Sequence, residues 1–176
     1  MQTGQCQVLQ ALERAVVGFC RGVWATPMEG RLLVLWGPNG VGKTHVAKAV
    51  HSWVSQVGAS KMFLRAPGVV EPIMSEFRRW PALLDLLKNG NWEATDDLFN
   101  AAVLILDDVG AAHDPSRLGT DKLCQLLSHR EKRWTLVTTN LSSKQWPEVF
   151  DRRIASRFLR NSIVIDLSSV PDFSVT

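Results

Sequence analysis

One octapeptide constrains this chain more than any other feature. Gly37-Pro-Asn-Gly-Val-Gly-Lys43-Thr44 fits the pattern G-x-x-x-x-G-K-[ST] and follows directly on the apolar run Leu32 to Trp36. That run reads as a buried strand, and apolar residues recur at helical spacing from His45 to Gln56, so the octapeptide is a turn between a strand and a helix. Glycines at such a turn let backbone N–H groups converge on an anion, and the N-terminus of the following helix adds partial positive charge. An ammonium at Lys43 suits the outer phosphates of a nucleotide, and the Thr44 hydroxyl suits Mg²⁺. The expected nucleotide contacts are therefore Gly37, Pro38, Asn39, Gly40, Val41, Gly42, Lys43 and Thr44, with His45 next on the helix.

Two further strand ends carry polar residues. Val103-Leu-Ile-Leu-Asp107-Asp108 is an apolar run closed by two acids. Behind a phosphate-binding turn, Asp107 is placed to hold Mg²⁺ together with Thr44, and Asp108, one residue on, to act as general base towards water. An acid in that place favours hydrolysis of ATP over transfer to a second substrate. Trp134-Thr-Leu-Val-Thr-Thr-Asn140 is another buried run, and Asn140 suits a group that orients water near the terminal phosphate.

The remaining pattern is read around these motifs. Short apolar runs also occur at Met62 to Leu64 and Ile163 to Ile165, giving five expected strands with those at Leu32–Trp36, Val103–Leu106 and Thr135–Thr138. Helices are expected over the first twenty residues, His45–Gln56, Val69–Arg79, Asp121–Lys132, and Lys144–Phe158 with a break at Pro147. Buried strands alternating with helices predict a parallel sheet covered on both faces. The least regular stretch runs from Arg78 to Asp97.

A chain of 176 residues with 45% hydrophobic content can bury one sizeable core, so one domain is expected. It divides into an N-terminal helix and linker (1–30), a nucleotide-binding core (31–166) and a tail (167–176). The net charge of +3 permits an anionic partner without demanding one. Cys6, Cys20 and Cys124 have neither disulfide nor zinc spacing, and His45, His51, His113 and His129 have no metal-ligand company. With no signal peptide or membrane span in the pattern, a cytoplasmic protein that does not bind membranes is expected.

Asp151-Arg-Arg-Ile-Ala-Ser-Arg157-Phe follows Asn140, and the ordered set now resembles the DnaC/IstB-type helicase loaders of the AAA+ class and the related DnaA initiator. Leu106-Asp-Asp-Val-Gly110 and Thr138-Thr-Asn-Leu141 are similar to that family too. The resemblance implies a three-layer P-loop fold with a five-stranded parallel sheet in the order 5-1-4-3-2. It makes Asn140 the residue called sensor 1, and makes Arg157 an arginine finger acting on a neighbouring subunit in a homo-oligomer, with Arg153 and Arg160 as competing candidates. A guanidinium fits that task because it stays charged and forks onto phosphate oxygens. After Arg160 the sequence leaves no room for the helical lid and sensor 2 arginine of many AAA+ proteins.

The family also implies contact with single-stranded DNA through a helical element between the second and third strands. Arg78, Arg79 and Lys88 fall there as candidate phosphate contacts, with Trp80 and Trp92 as aromatic company. The catalytic set expected is Lys43, Asp107, Asp108, Asn140 and Arg157. The function implied is ATP hydrolysis coupled to assembly on single-stranded DNA, as a loader acting on a replicative helicase. The alternatives are an IstB-like helper of a transposase or a weakly hydrolysing assembly switch; a small-molecule phosphotransferase lacks an arginine-rich lid.

Overall fold

The computed structural model describes residues 2–26, 29–58, 62–66, 69–91, 93–111, 114, 116–160 and 162–173. In chain order these form α1 (Gln2–Ala25), β1 (Leu32–Trp36), α2 (Lys43–Gly58), β2 (Met62–Ala66), β3 (Val69–Pro72), β4 (Ser75–Arg79) and α3 (Trp80–Lys88). A 3₁₀ turn (Glu93–Thr95) leads into α4 (Asp96–Asn100), β5 (Val103–Asp107), α5 (Leu118–His129), β6 (Trp134–Thr139), α6 (Trp146–Val149), α7 (Arg152–Arg160) and β7 (Ser162–Asp166).

Five strands make one parallel sheet in the order β4-β5-β6-β1-β7. Numbered among themselves along the chain, they run 2-3-4-1-5, the expected order read from the other edge. Alternation along each strand splits the core into two layers. Val34, Leu104, Leu106 and Val137 face α3, α5, α6 and α7, while Leu33, Leu35, Val103, Ile105 and Leu136 face α1 and α2. Both faces of β5 and β6 are therefore buried, which is why these strands are continuous apolar runs. Among the described residues no helix is long and apolar enough to cross a membrane. Among the described residues β7 is the last of these elements.

Three expectations are corrected. Met62–Leu64 does not enter the main sheet; β2 pairs antiparallel with β3 in a separate two-stranded unit. The expected helix Val69–Arg79 is instead β3 and β4, and β4 takes the second place in the sheet beside β5. Val69, Val70, Ile73, Met74 and Phe77 mimic helical spacing, but Pro72 would remove a helical hydrogen bond and clash with the preceding turn. The helical segment after Lys144 breaks at Phe150–Asp151, not at Pro147, which lies in the first turn of α6. Asp151 caps α7, its carboxylate accepting from the backbone N–H groups of Arg153 and Ile154.

A buried cation ties the lower ends of the central strands together. Arg130, 2% exposed, donates to the carbonyls of Leu98, Ala101 and Trp134 at 2.8–2.9 Å and to Thr135 Oγ1 at 3.1 Å. Burial, with some help from Arg133, pushes its guanidinium down to about 9. It fixes the start of β6 against the approach to β5, and so the relative height of the polar residues at their far ends.

Candidate nucleotide site

The motif residues gather at the C-terminal ends of β1, β5 and β6. The turn after β1 has positive φ at Gly40 (78°) and Gly42 (91°), conformations that glycine adopts without a side-chain penalty, and it opens into α2 at Lys43. The Thr44 hydroxyl lies 3.0 Å from both carboxylate oxygens of Asp107, across 63 residues of sequence. Lys43 is 5% exposed, and its ammonium donates to the carbonyls of Gly37 at 2.7 Å and Pro38 at 2.6 Å. Burial lowers its pKa below the ordinary lysine value, and the carboxylates of Asp108 and Asp107 oppose that shift.

Asp107 is fully buried and held from β6. Thr138 Oγ1 donates to Asp107 Oδ1 at 2.7 Å and accepts from the backbone N–H of Asp108 at 3.0 Å. Thr138 is not among the expected site residues. The signal lies in the pairing of β5 with β6: Leu106 sits opposite Val137, and one residue further along each strand come Asp107 and Thr138, joined by their side chains. The chain then turns sharply, with Asp108 at φ 60°, a left-handed conformation that costs a residue with a side chain about 1 kcal/mol. The Val109 N–H bond to Thr138 O at 2.9 Å holds that turn. Asn140 follows β6, and its Oδ1 is buried without a hydrogen-bond partner among the described residues.

The donor set fits Mg²⁺·ATP. Thr44 and Asp107 offer hard oxygens side by side, few enough to suit an ion that keeps phosphate and water in its shell. The unpaired Oδ1 of Asn140 suits a polar group on a bound ligand, and a Cβ placed on Gly42 would meet nothing within 4 Å.

Arg79 brings a contact that the motifs do not contain. It ends β4 opposite Asp107, and its Nη2 lies 3.2 Å from Asp108 Oδ2, with the arginine side chain 64% exposed and the aspartate 22%. Arg78 turns elsewhere, to Glu76 at 2.7 Å. Lys88 ends α3, roughly 13 Å further along the helix. Trp80 is buried in the core and is not available to stack a base; Trp92 lies outside the described residues.

Arg157 sits apart from this cluster. Its Nη1 is 3.9 Å from Glu131 Oε1, beside Leu32, Leu127 and Thr135. Leu32 opens β1 and Thr135 lies at the start of β6, so Arg157 is at the opposite ends of the strands from Lys43, roughly 15 Å away. Arg153 is paired with Asp151 at 2.9 Å and reaches Asp121 at 3.8 Å, whereas Arg160 is exposed.

Comparison with known proteins bears on the family and the fold. The profile of the IstB-like ATP binding proteins matches residues 27–164. A curated relative, an ATP-binding protein of an insertion sequence from Bacillus thuringiensis subsp. berliner, is 28% identical over 130 residues, covering 72% of this chain and 48% of the relative. The chain spans about half the length of the curated relatives it matches. The crystal structure of the DnaC helicase loader superposes with a TM-score of 0.67 at 23% identity, covering 89% of each chain. The replication initiator DnaA bound to AMPPCP and single-stranded DNA superposes at 0.64 and 17% identity, over 88% of this chain and 45% of that one. At those identities the structures speak for the fold, an AAA+ P-loop core, and the profile speaks for the family: this chain belongs to the IstB-like ATP binding proteins.

Proposed function

We propose that the chain binds ATP·Mg²⁺ at Gly37–His45 and hydrolyses it in step with its engagement of single-stranded DNA. The carrying observation is the ion pair between Arg79, expected on DNA, and Asp108, expected as the general base. A phosphate of a DNA backbone competes for the same guanidinium. When it wins, the Asp108 carboxylate is released to take a proton from water at Oδ2.

The other residues have distinct tasks in this reading. Lys43 moves from the loop carbonyls to the outer phosphates, and the backbone N–H groups of the loop hold the inner ones. Thr44 and Asp107 hold Mg²⁺, which neutralises charge developing on the phosphate oxygens when bound. Thr138 keeps the Asp107 carboxylate oriented, and Asn140 orients the attacking water. Arg157 lies too far from its own Lys43 to act in cis, which supports the reading that it completes the site of a neighbouring copy. Residues 31–166 form the nucleotide core in this scheme, flanked by 1–30 and 167–176.

Two partners follow from the relatives. Likeness to DnaC supports a replicative helicase, and the insertion-sequence relative supports a transposase. Co-purification with each candidate in turn, with ATP and without, decides between them. For the DNA step, binding of a single-stranded oligonucleotide is measured against salt for wild type and for a variant with Arg78, Arg79 and Lys88 all changed to alanine. The variant is expected to lose affinity and flatten the salt slope. Unchanged affinity and slope would place the DNA surface elsewhere.

A further inference from the structure

Residues 167–173 leave β7 and run against the phosphate loop, with Leu167 beside Gly37 and Asp172 beside Gly40. Their first half is built into the core. The Leu167 N–H donates to Trp36 O at 2.8 Å, carrying the β1–β7 pairing one step on, and Leu167 and Val170 are 1% and 4% exposed in the cluster that includes Val41. Leu167 passes so close to Gly37 that a Cβ there would meet Leu167 Cβ at 3.0 Å.

The second half lies at the surface. Pro171, Asp172 and Phe173 are all exposed, and the Phe173 N–H donates to Gly40 O at 3.0 Å. In this stretch the Asp172 carboxylate lies directly on the phosphate loop. A Cβ built on Gly40 would stand 1.8 Å from Asp172 Oδ1 and 2.6 Å from Oδ2, so glycine at this position leaves the space that the carboxylate fills.

An acid is an unexpected neighbour for that loop. The loop's geometry suits a polyanion, and Asp107 and Asp108 already act on Lys43. A further carboxylate against Gly40 repels the polyphosphate across a short distance, whether or not the two share a backbone amide. We propose that residues 171–173 are an autoinhibitory strap, whose Asp172 carboxylate competes with ATP for the flank of Gly40 and swings out about Val170 when the nucleotide seats. The hinge follows from the anchoring: Val170 is fixed in the core, and no side chain beyond it is buried among the described residues. Nucleotide occupancy thereby sets whether this segment lies on the loop or is free to meet a partner.

The inference rests on the ATP site proposed above, and its test separates the two. Mg²⁺·ATP binding is measured by calorimetry on wild type, Asp172→Asn and Asp172→Glu, with thermal melts to confirm folding. Asp172→Asn is expected to bind roughly threefold to tenfold more tightly, with the gain shrinking at high salt, while Asp172→Glu keeps most of the inhibition. If all three bind ATP alike, or Asp172→Asn binds more weakly, the strap is overturned and the site stands. If none binds ATP, the site reading falls with it. Amide exchange gives a second readout on the unaltered chain: saturating ATP should speed exchange at Asp172 and Phe173 while slowing it at Gly40–Thr44. Greater protection of Asp172 and Phe173 with ATP would make the segment a clamp on the nucleotide and refute the autoinhibitory assignment.

Discussion

Replacing Arg79 by alanine isolates the contact on which DNA coupling depends. The Arg79 Nη2–Asp108 Oδ2 distance is 3.2 Å, but the arginine side chain is 64% exposed, so solvent screens most of the bare Coulomb attraction. Exposed pairs of this kind are worth about 0.2–1 kcal/mol, which corresponds to a population of unengaged Asp108 raised by a factor of about 1.4–5 when the partner is removed. If proton transfer to Asp108 limits turnover, basal ATP hydrolysis in Arg79→Ala should rise by the same factor at low salt. A single-stranded oligonucleotide should then add little, because the brake it releases is gone. Steady-state phosphate release, with and without the oligonucleotide and at low and high salt, measures both effects. Wild-type basal turnover should itself climb with salt as the pair is screened, and the variant should not. An Arg79→Ala protein with wild-type basal rate and full DNA stimulation would refute the coupling. A large fall in rate would show that Arg79 assists the reaction directly rather than restraining the base.

The remaining predictions concern the same site and the frame that holds it. Lys43→Ala should abolish tight ATP binding, whereas Asp108→Asn should bind ATP and fail to turn it over; equilibrium binding beside phosphate release distinguishes them, and wild-type turnover in Asp108→Asn would remove that residue from the role of base. Arg157→Ala should bind ATP but hydrolyse it slower by about 10³-fold or more, taking the analogous GTPase finger as a guide. Mixed with Lys43→Ala it should recover partial activity, and a mixture that co-assembles but stays inactive would leave Arg157 a structural charge. Arg130→Met should destabilise the fold by roughly 3–5 kcal/mol in urea unfolding, because it strands the carbonyls of Leu98, Ala101 and Trp134 in the core. A loss under about 1 kcal/mol would mean that water replaces the guanidinium.

What the sequence by itself determined is whatever short-range pattern records. The octapeptide Gly37–Thr44 needs its glycines and its lysine at fixed spacing, so it is visible without a fold. β1, β5 and β6 are buried on both faces, and continuous apolar runs announce them; the acids at the end of β5 are legible for the same reason. What only the tertiary structure decided is whatever depends on partners distant in the chain. β4 lies at the sheet edge, half buried, and its residues carry no apolar run; pairing with β5 makes it a strand, where local spacing had suggested a helix. That pairing in turn brings Arg79 to Asp108 and reveals a charge contact that neither motif contains. Thr138 reads as one more β-branched residue until the register of β5 on β6 sets it against Asp107. Asp172 reads as a solvated tail residue until the fold lays it against Gly40, more than 130 positions earlier in the chain. Periodicity reports which face of an element is buried, but a charge meets its partner only through the packing of elements that sequence leaves far apart.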